Sequence, residues 1–452
     1  MEQQSKLNWR ETESLAVFLK GVGDGLSYGY NTLKSLAALE ELARKRKEAL
    51  PQHPYVAACY LWSLNFTSHM LREIARDAYR HERYDIFEQN DVDEIKSKKL
   101  YDLLLSATLL HDSVKDIESV VFIEEYGISP VVIELAKKVN WRSDLENFAE
   151  HAERLAKDPF ALLISLSACV TELSVMDVSN AEAVKERVLA EQSRMLPLFR
   201  IAKQRYPAIK PRITVMKYQF TSICAFVAGL MFPEEKTPEV ATWNEDYAKT
   251  AFYLEGRTSS SGSHVLARAA SYVIYAQGDQ VRNSGASYLV HLMRVYVFLS
   301  ALCDDIDEDT LAASLLHDVK EDVPEIKNNP ELLMSKYGFS KDVFHLVNLL
   351  TKIKGGDTTE YYKKLRTDYR AILVKLSDRV NNVSTMDVFD EKRIRKYIKE
   401  TNEHVIPLCQ YAYNQFPELR RMLNVMWMHM ATIVELAEEI LKHGHLHNGN
   451  GT

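Results

Sequence analysis

Glycine and proline are few, 16 and 13 among 452 residues, and they gather between apolar-periodic segments. Both residues interrupt regular structure, so their scarcity points to long unbroken elements. Runs of alternating β-branched residues are also missing, which argues against a sheet. What is present is helical spacing of apolar residues, as in "TLAASLLHDV", "DVFHLVNLLTKI" and "RMLNVMWMHMATIVELAEEIL". The expected fold class is all-α.

Cysteine is sparse as well. Cys59, Cys169, Cys224, Cys303 and Cys409 lie far apart and include no CxxC pair, which leaves no spacing for a zinc knuckle. Buried, reduced thiols in a cytoplasmic protein are the expectation. The opening "MEQQSKLNWRETES" is polar and acidic and does not fit a secretory signal. A net charge of −7 gives no basic footprint for nucleic acid. The apolar run "ICAFVAGLMF" at 223–232 is too short to span a bilayer, so no membrane partner is expected. The end of the chain, "HGHLHNGNGT", is expected to fray, with His443, His445 and His447 in solvent.

One composition break stands out. "GRTSSSGS" at 256–263 has the make-up of a flexible linker. The two sides of it resemble each other. "LLHD" recurs at 109 and 315, and "YGISPVVIEL" at 126 matches "YGFSKDVFHL" at 337. "ALLISLSACVTELSVMDV" at 161 matches "AILVKLSDRVNNVSTMDV" at 371, and "PLFRIAKQRYP" at 197 matches "PLCQYAYNQFP" at 407. The separations are 206, 211, 210 and 210 residues, in preserved order. That pattern implies a duplication: two copies of one helical unit, too long in period for a solenoid. The expected division is residues 1–255, a linker at 256–263, a second lobe at 264–440 and a tail at 441–452.

The second copy carries the chemistry. In "SLLHDVKEDV" at 314–323, His317 and Glu321 share one helix face, as do Asp318 and Asp322. Such a cluster in an apolar segment is costly unless a cation compensates it. His291 in "SYLVHLMRV" and Asp378 with Arg379 in "VKLSDRVNN" sit in equally apolar settings. A lone buried histidine is most often a satisfied core residue, but the combined spacing is far more specific. Two histidines and two aspartates suit a borderline-to-hard divalent ion: Mn(II), Fe(II), Zn(II) or Mg(II). Such an ion can activate water and clamp a phosphoryl oxygen, with a nearby carboxylate moving the proton.

His291, then His317-Asp318, then Asp378 resembles the H…HD…D pattern of the HD-domain phosphohydrolases. The finer pattern is similar to one branch, the hydrolase domain of RelA/SpoT-type alarmone enzymes. "RNSGASYLVH" supplies Arg282, Gly285, Tyr288 and His291; "LLHDVKED" matches the branch's central run; "KLSDRVNN" gives Lys375, Asp378, Arg379 and Asn382, with Thr385 following. The resemblance covers roughly residues 262–420. It implies one metal, typically Mn2+, held by His291, His317, Asp318 and Asp378. Glu321 and Asp322 would handle the attacking water and the leaving oxygen. Arg282 would contact the purine, Asn382 and Thr385 the nucleoside and its phosphates, and Arg379 would brace the metal-site loop through a salt bridge. The implied reaction is removal of the 3′-pyrophosphate of ppGpp or pppGpp, a small-molecule nucleotide substrate. Ser287, Leu292 and Asn381 depart from the family's usual Pro, Pro and His. They leave open ppApp, NADPH, a deoxynucleotide or a cyclic nucleotide as substrate. A non-catalytic nucleotide-binding sensor is the alternative outside enzymes.

On this reading the architecture is two tandem HD-like lobes with a degenerate first copy. "TLLHDSVKDI" keeps His111, Asp112 and Asp116, but Lys115 stands where Glu321 does. Ala168 takes the place of Asp378, Cys169 that of Arg379 and Glu172 that of Asn382. For the first histidine the only sequence candidate is His69 in "FTSHMLREI". A pseudo-hydrolase lobe can bury a face of the active lobe, bind a nucleotide without cleaving it, or mediate a homodimer. The family's long forms place a synthetase domain after the hydrolase, for which the residues beyond 420 leave no room, so degradation rather than synthesis is expected.

Overall fold

Helix starts are written into the sequence as capping side chains, which accept the backbone N–H groups a first turn leaves unpaired. Asp158, Ser263, Ser287, Asp307, Ser340, Asp357, Asp368 and Asp390 each cap the helix that follows. The computed structural model describes residues 11–26, 28–79, 91–141, 146–235, 247–283 and 285–444. Among these the only β pairing is an isolated bridge between Val281 and Ser287, and the all-α expectation holds.

The chain divides into two compact units, Met1–Met176 with Arg187–Phe220, and Asp177–Glu186 with Thr221–Thr452. The first eight helices are α1 (Thr12–Gly25), α2 (Tyr30–Arg46), α3 (Gln52–Ser63), α4 (Ser68–Tyr79), α5 (Asp93–Leu110), α6 (Pro130–Val139), α7 (Phe148–Ala156) and α8 (Pro159–Ser174). Then come α9 (Ala181–Arg205) and α10 (Lys210–Met231), through which the division passes. The second unit continues with α11 (Tyr247–Ser260), α12 (His264–Gln277), α13 (Tyr288–Leu302), α14 (Glu308–Leu316), α15 (Val319–Asp322), α16 (Pro324–Asn328) and α17 (Leu332–Ser335). It closes with α18 (Lys341–Leu350), α19 (Thr358–Leu365), α20 (Tyr369–Ser384), α21 (Glu391–Glu400), α22 (Ile406–Gln415) and α23 (Arg420–His443).

Within the first unit α3 packs on α5 and α8, α2 on α5, α1 on α2 and α3, and α6 on α5 and α8. Within the second, α13 packs on α14 and α20, α12 on α14, α11 on α12 and α13, and α18 on α14 and α20. The pairings correspond helix for helix in chain order. α8 and α20 both have 16 residues and begin 210 positions apart, each behind an aspartate cap.

The Gly/Ser stretch is not a linker. Residues 256–260 continue α11, where Thr258 is fully buried and donates to the Leu254 carbonyl at 2.8 Å. Gly262, at φ 74°, makes the turn, and Ser263 then caps α12 at Leu266 N and donates to Glu308 Oε2 at 2.6 Å. Leu254 and Thr258 lie one turn apart and form a buried helix face, which composition does not register. The whole stretch belongs to the second unit. The run 223–232 lies largely within α10; by length and composition Pro207–Met231 is long and apolar enough to cross a membrane, with 72% of that window buried inside the protein. None of the five cysteines forms a disulfide; Cys303 is half-buried and the others are buried. α23 runs through His443 and ends at Gly444 in the left-handed conformation; His445 and His447 lie outside the described residues.

Candidate metal centre of the second unit

Four helical segments bring the predicted ligands together. His291 lies in the first turns of α13, His317 and Asp318 between α14 and α15, and Asp378 in the middle of α20. His291 Nε2 lies 3.2 Å from His317 Nε2, 3.4 Å from Asp378 Oδ1 and 3.8 Å from Asp318 Oδ2. His317 Nε2 lies 3.0 Å from Asp318 Oδ2 and 3.7 Å from Asp378 Oδ1. The ligand atoms of His291, His317 and Asp378 are all within 4.8 Å of one another, and the three residues are buried.

The outer partners fix what the inner atoms can be. His317 Nδ1 faces the Ser314 carbonyl at 2.9 Å, and His291 Nδ1 faces Asn381 Oδ1 at 2.7 Å. Both partners only accept, so each neutral ring carries its proton on Nδ1 and turns a lone pair from Nε2 toward the other. Two lone pairs and two carboxylates in one buried spot repel unless a cation lies between them. Without a metal that cation is a proton: burial opposes charge on His317, but Asp318 and Asp378 outweigh it and hold the ring well above the usual histidine range. The donor set and the oriented rings fit a divalent ion, since ligating histidines generally donate their other nitrogen to a carbonyl or carboxylate.

The two aspartates are held apart by different partners. Asp378 receives Lys375 Nζ on Oδ2 at 2.8 Å and Asn382 Nδ2 on Oδ1 at 2.5 Å. Burial would raise its carboxyl; Lys375 and the two histidines bring it well below the usual range. Asp318 accepts the Tyr288 hydroxyl, and His317 and His291 overcome its burial to lower it. Glu321 and Asp322 behave oppositely. Burial raises both, and Asp318 adds to the rise. Glu321 Oε1 accepts the Lys352 backbone N–H at 2.6 Å. A pair of carboxyls pushed toward neutrality beside a pair held ionised is the arrangement that separates proton carriers from ligands.

The remaining predicted residues lie on the same unit. Arg282 donates to Asn382 Oδ1 at 2.8 Å and to Asn381 Oδ1 at 3.3 Å, tying the turn before α13 to α20. Thr385, at the end of α20, donates to the Asn381 carbonyl at 3.2 Å. Arg379 is buried and pairs with Glu400 at 3.3 Å. Sequence reading gave no site role to Tyr288, Lys375, Lys352 or Ser314. Tyr288 and Lys375 were quoted within the motifs, three residues before His291 and Asp378, where one helical turn stacks them on the ligand. Asn381, noted only as a departure, sits directly behind His291.

In the first unit the structure corrects the choice of histidine. His69 is exposed on α4 and is not part of the first unit's cluster of His53, His111 and Asp112. His53, at the start of α3, stands by His111 instead: ring centroids 5.2 Å apart and planes at 72°, against 5.2 Å and 66° for His291 and His317. His53 was missed because the separation between the two histidines differs between the two units, 58 residues against 26.

Comparison with known proteins agrees with this geometry. The HD domain family matches residues 269–408. The chain is 36% identical over 152 residues to the guanosine-3′,5′-bis(diphosphate) 3′-pyrophosphohydrolase of Aquifex aeolicus, a match covering 32% of this chain and 21% of that protein. It is 35% identical over 145 residues to the bifunctional (p)ppGpp synthase/hydrolase SpoT of Escherichia coli, covering 30% and 20%. It is 32% identical over 156 residues to the GTP pyrophosphokinase rsh of Brucella ovis, covering 32% and 20%. The match thus spans about a fifth of the length of these relatives. With the ligand pattern placed on the helices that carry it, this chain holds an HD domain at residues 269–408.

Proposed function

We propose that the second unit hydrolyses guanosine alarmones, converting ppGpp or pppGpp and water to GDP or GTP and pyrophosphate. One divalent ion, Mn2+, is held by His291, His317, Asp318 and Asp378. The observation that carries the reading is the pair of Nε2 atoms 3.2 Å apart, each oriented by an acceptor behind it and flanked by two ionised aspartates. Relatives named for the 3′-pyrophosphohydrolase reaction support the substrate class. When bound, the ion supplies charge against a phosphoryl oxygen and makes water a better nucleophile.

The chain's own groups do the rest. Water attacks the phosphorus bonded to O3′, and that P–O bond breaks. Glu321, whose carboxyl burial raises and the Lys352 N–H orients, takes the water's proton. Asp322, also raised, returns a proton to the departing 3′ oxygen. Arg282 contacts the purine, and Asn382 and Thr385 contact the nucleoside and its phosphates. Lys375 keeps Asp378 ionised and oriented. The first unit, with Lys115 at the position of Glu321 and Ala168 at that of Asp378, is a degenerate copy that does not hydrolyse.

The test is a substrate panel of ppGpp, pppGpp, ppApp and NADPH with added Mn2+, read by pyrophosphate or phosphate release. Pyrophosphate from the guanosine alarmones is the expected result. Turnover confined to ppApp or NADPH would replace the substrate and keep the centre.

A further inference from the structure

The first unit contains a second cluster of metal-ligating side chains that the proposed hydrolysis does not use. His53, His111 and Asp112 bring their ligand atoms within 4.8 Å of one another. Asp112 Oδ2 lies 3.0 Å from His53 Nδ1 and 3.5 Å from His111 Nε2. Each histidine is tied from behind by a backbone carbonyl: His53 Nε2 to Ala168 at 2.9 Å, His111 Nδ1 to Thr108 at 2.6 Å. Carbonyls only accept, so each neutral ring carries its proton on the outer nitrogen and turns a lone pair toward the cluster. As in the second unit, lone pairs and a carboxylate converge where only a cation satisfies all three.

The loss of Asp378's counterpart is part of this arrangement. Ala168 offers no side-chain ligand, but its carbonyl accepts the Nε2–H of His53 and fixes which nitrogen faces inward. Lys115 binds Asp112 Oδ1 at 2.8 Å and leaves Oδ2 turned to the histidines. Carbonyls behind the rings and a cation behind the carboxylate are the outer partners that orient ligands in metal sites. The His53 side chain is 20% exposed, so an ion has access from solvent.

We propose that the first unit binds one divalent transition-metal ion, such as Zn2+, Co2+ or Fe2+, through His53 Nδ1, His111 Nε2 and Asp112 Oδ2. Two histidines and one carboxylate leave coordination positions open, a set that suits borderline divalent ions. With an ammonium where the second unit has a general base, this site holds its ion without hydrolysing phosphate esters.

The experiment is metal stoichiometry of the full chain, as purified and after equilibration with Co2+, by elemental analysis and visible absorption. Five proteins are compared: unsubstituted, His53→Ala, His291→Ala, the double variant of these two, and His291→Ala combined with His53→Gln. The expected result is two ions per chain, one in each single variant and none bound tightly in the double variant. The Co2+ spectrum of His291→Ala should vanish when His53→Gln is added, a change that keeps a donor for the Ala168 carbonyl and protects folding. Equal stoichiometry with and without His53 would overturn the proposal, as would a His291→Ala chain that takes up no Co2+. The trio would then be a hydrogen-bonded cluster held by a proton.

Discussion

Each proposed ligand of the second unit depends on neighbouring side chains or carbonyls for its orientation, and the side-chain neighbours are separately testable. Asn381 fixes His291 and also receives Arg282. Asn381→Ala should weaken metal affinity about 10- to 100-fold, measured by competition with a chelating dye, while the fold by circular dichroism is retained. Glu321→Gln should leave metal binding intact and lower kcat about 100- to 10,000-fold. Because burial raises the Glu321 carboxyl above its ordinary 4.5, the acid limb of kcat against pH should lie above the range of an exposed glutamate. A limb that stays in place in Glu321→Gln would remove this residue from proton transfer. At this scale the sequence was highly legible for His317, Asp318, Glu321 and Asp322, which lie within one short segment. It was less so for Lys375, because a lysine in an apolar run reads as a solvated side chain until Asp378 is seen beneath it.

Helix α20 is the element on which the site depends, since it carries Lys375, Asp378, Asn381, Asn382 and, at its end, Thr385. It is joined to the end of α21 by the buried Arg379, whose partner Glu400 also receives Lys352 at 3.0 Å. Burial would raise the Glu400 carboxyl, but Arg379 and Lys352 bring it down to about 2, against an ordinary value of 4.5. A folded value below the unfolded one means that this stabilisation is complete above about pH 4.5. It fades as pH falls toward 2, and acid unfolding should show it. Glu400→Ala leaves Arg379 buried without its carboxylate and should cost about 3–5 kcal/mol in denaturant unfolding. It should also flatten the stability profile between those pH values. The helices themselves were legible from periodicity and caps. The turn at 256–263 was not: its Ser and Gly content resembles a linker, while the buried Leu254–Thr258 face depends on packing. Limited proteolysis should therefore spare residues 256–260 in the folded protein.

For the molecule as a whole, a repeated sequence order corresponds to a repeated order of helix pairings within each unit, and on the proposed reading the chemistry of the two units differs by a few substitutions. On the proposed reading, Lys115 for Glu321 and Ala168 for Asp378 leave the first unit without the base and with one carboxylate ligand fewer, Asp112 remaining. The first histidine escaped the sequence reading because nothing in "QHPYVAACY" marks His53 until α3 packs on α5 and α8. Restoring Glu at 115 alone should therefore confer no turnover on a chain whose second unit carries Asp378→Ala. The most direct measurement is pyrophosphate release from ppGpp with Mn2+, run on the unsubstituted chain and on Asp378→Ala, with bound metal determined on both. The account predicts GDP and pyrophosphate from the former, and loss of both turnover and second-unit metal in the latter. Turnover that survives Asp378→Ala, or a metal-loaded chain inert toward ppGpp, would contradict it.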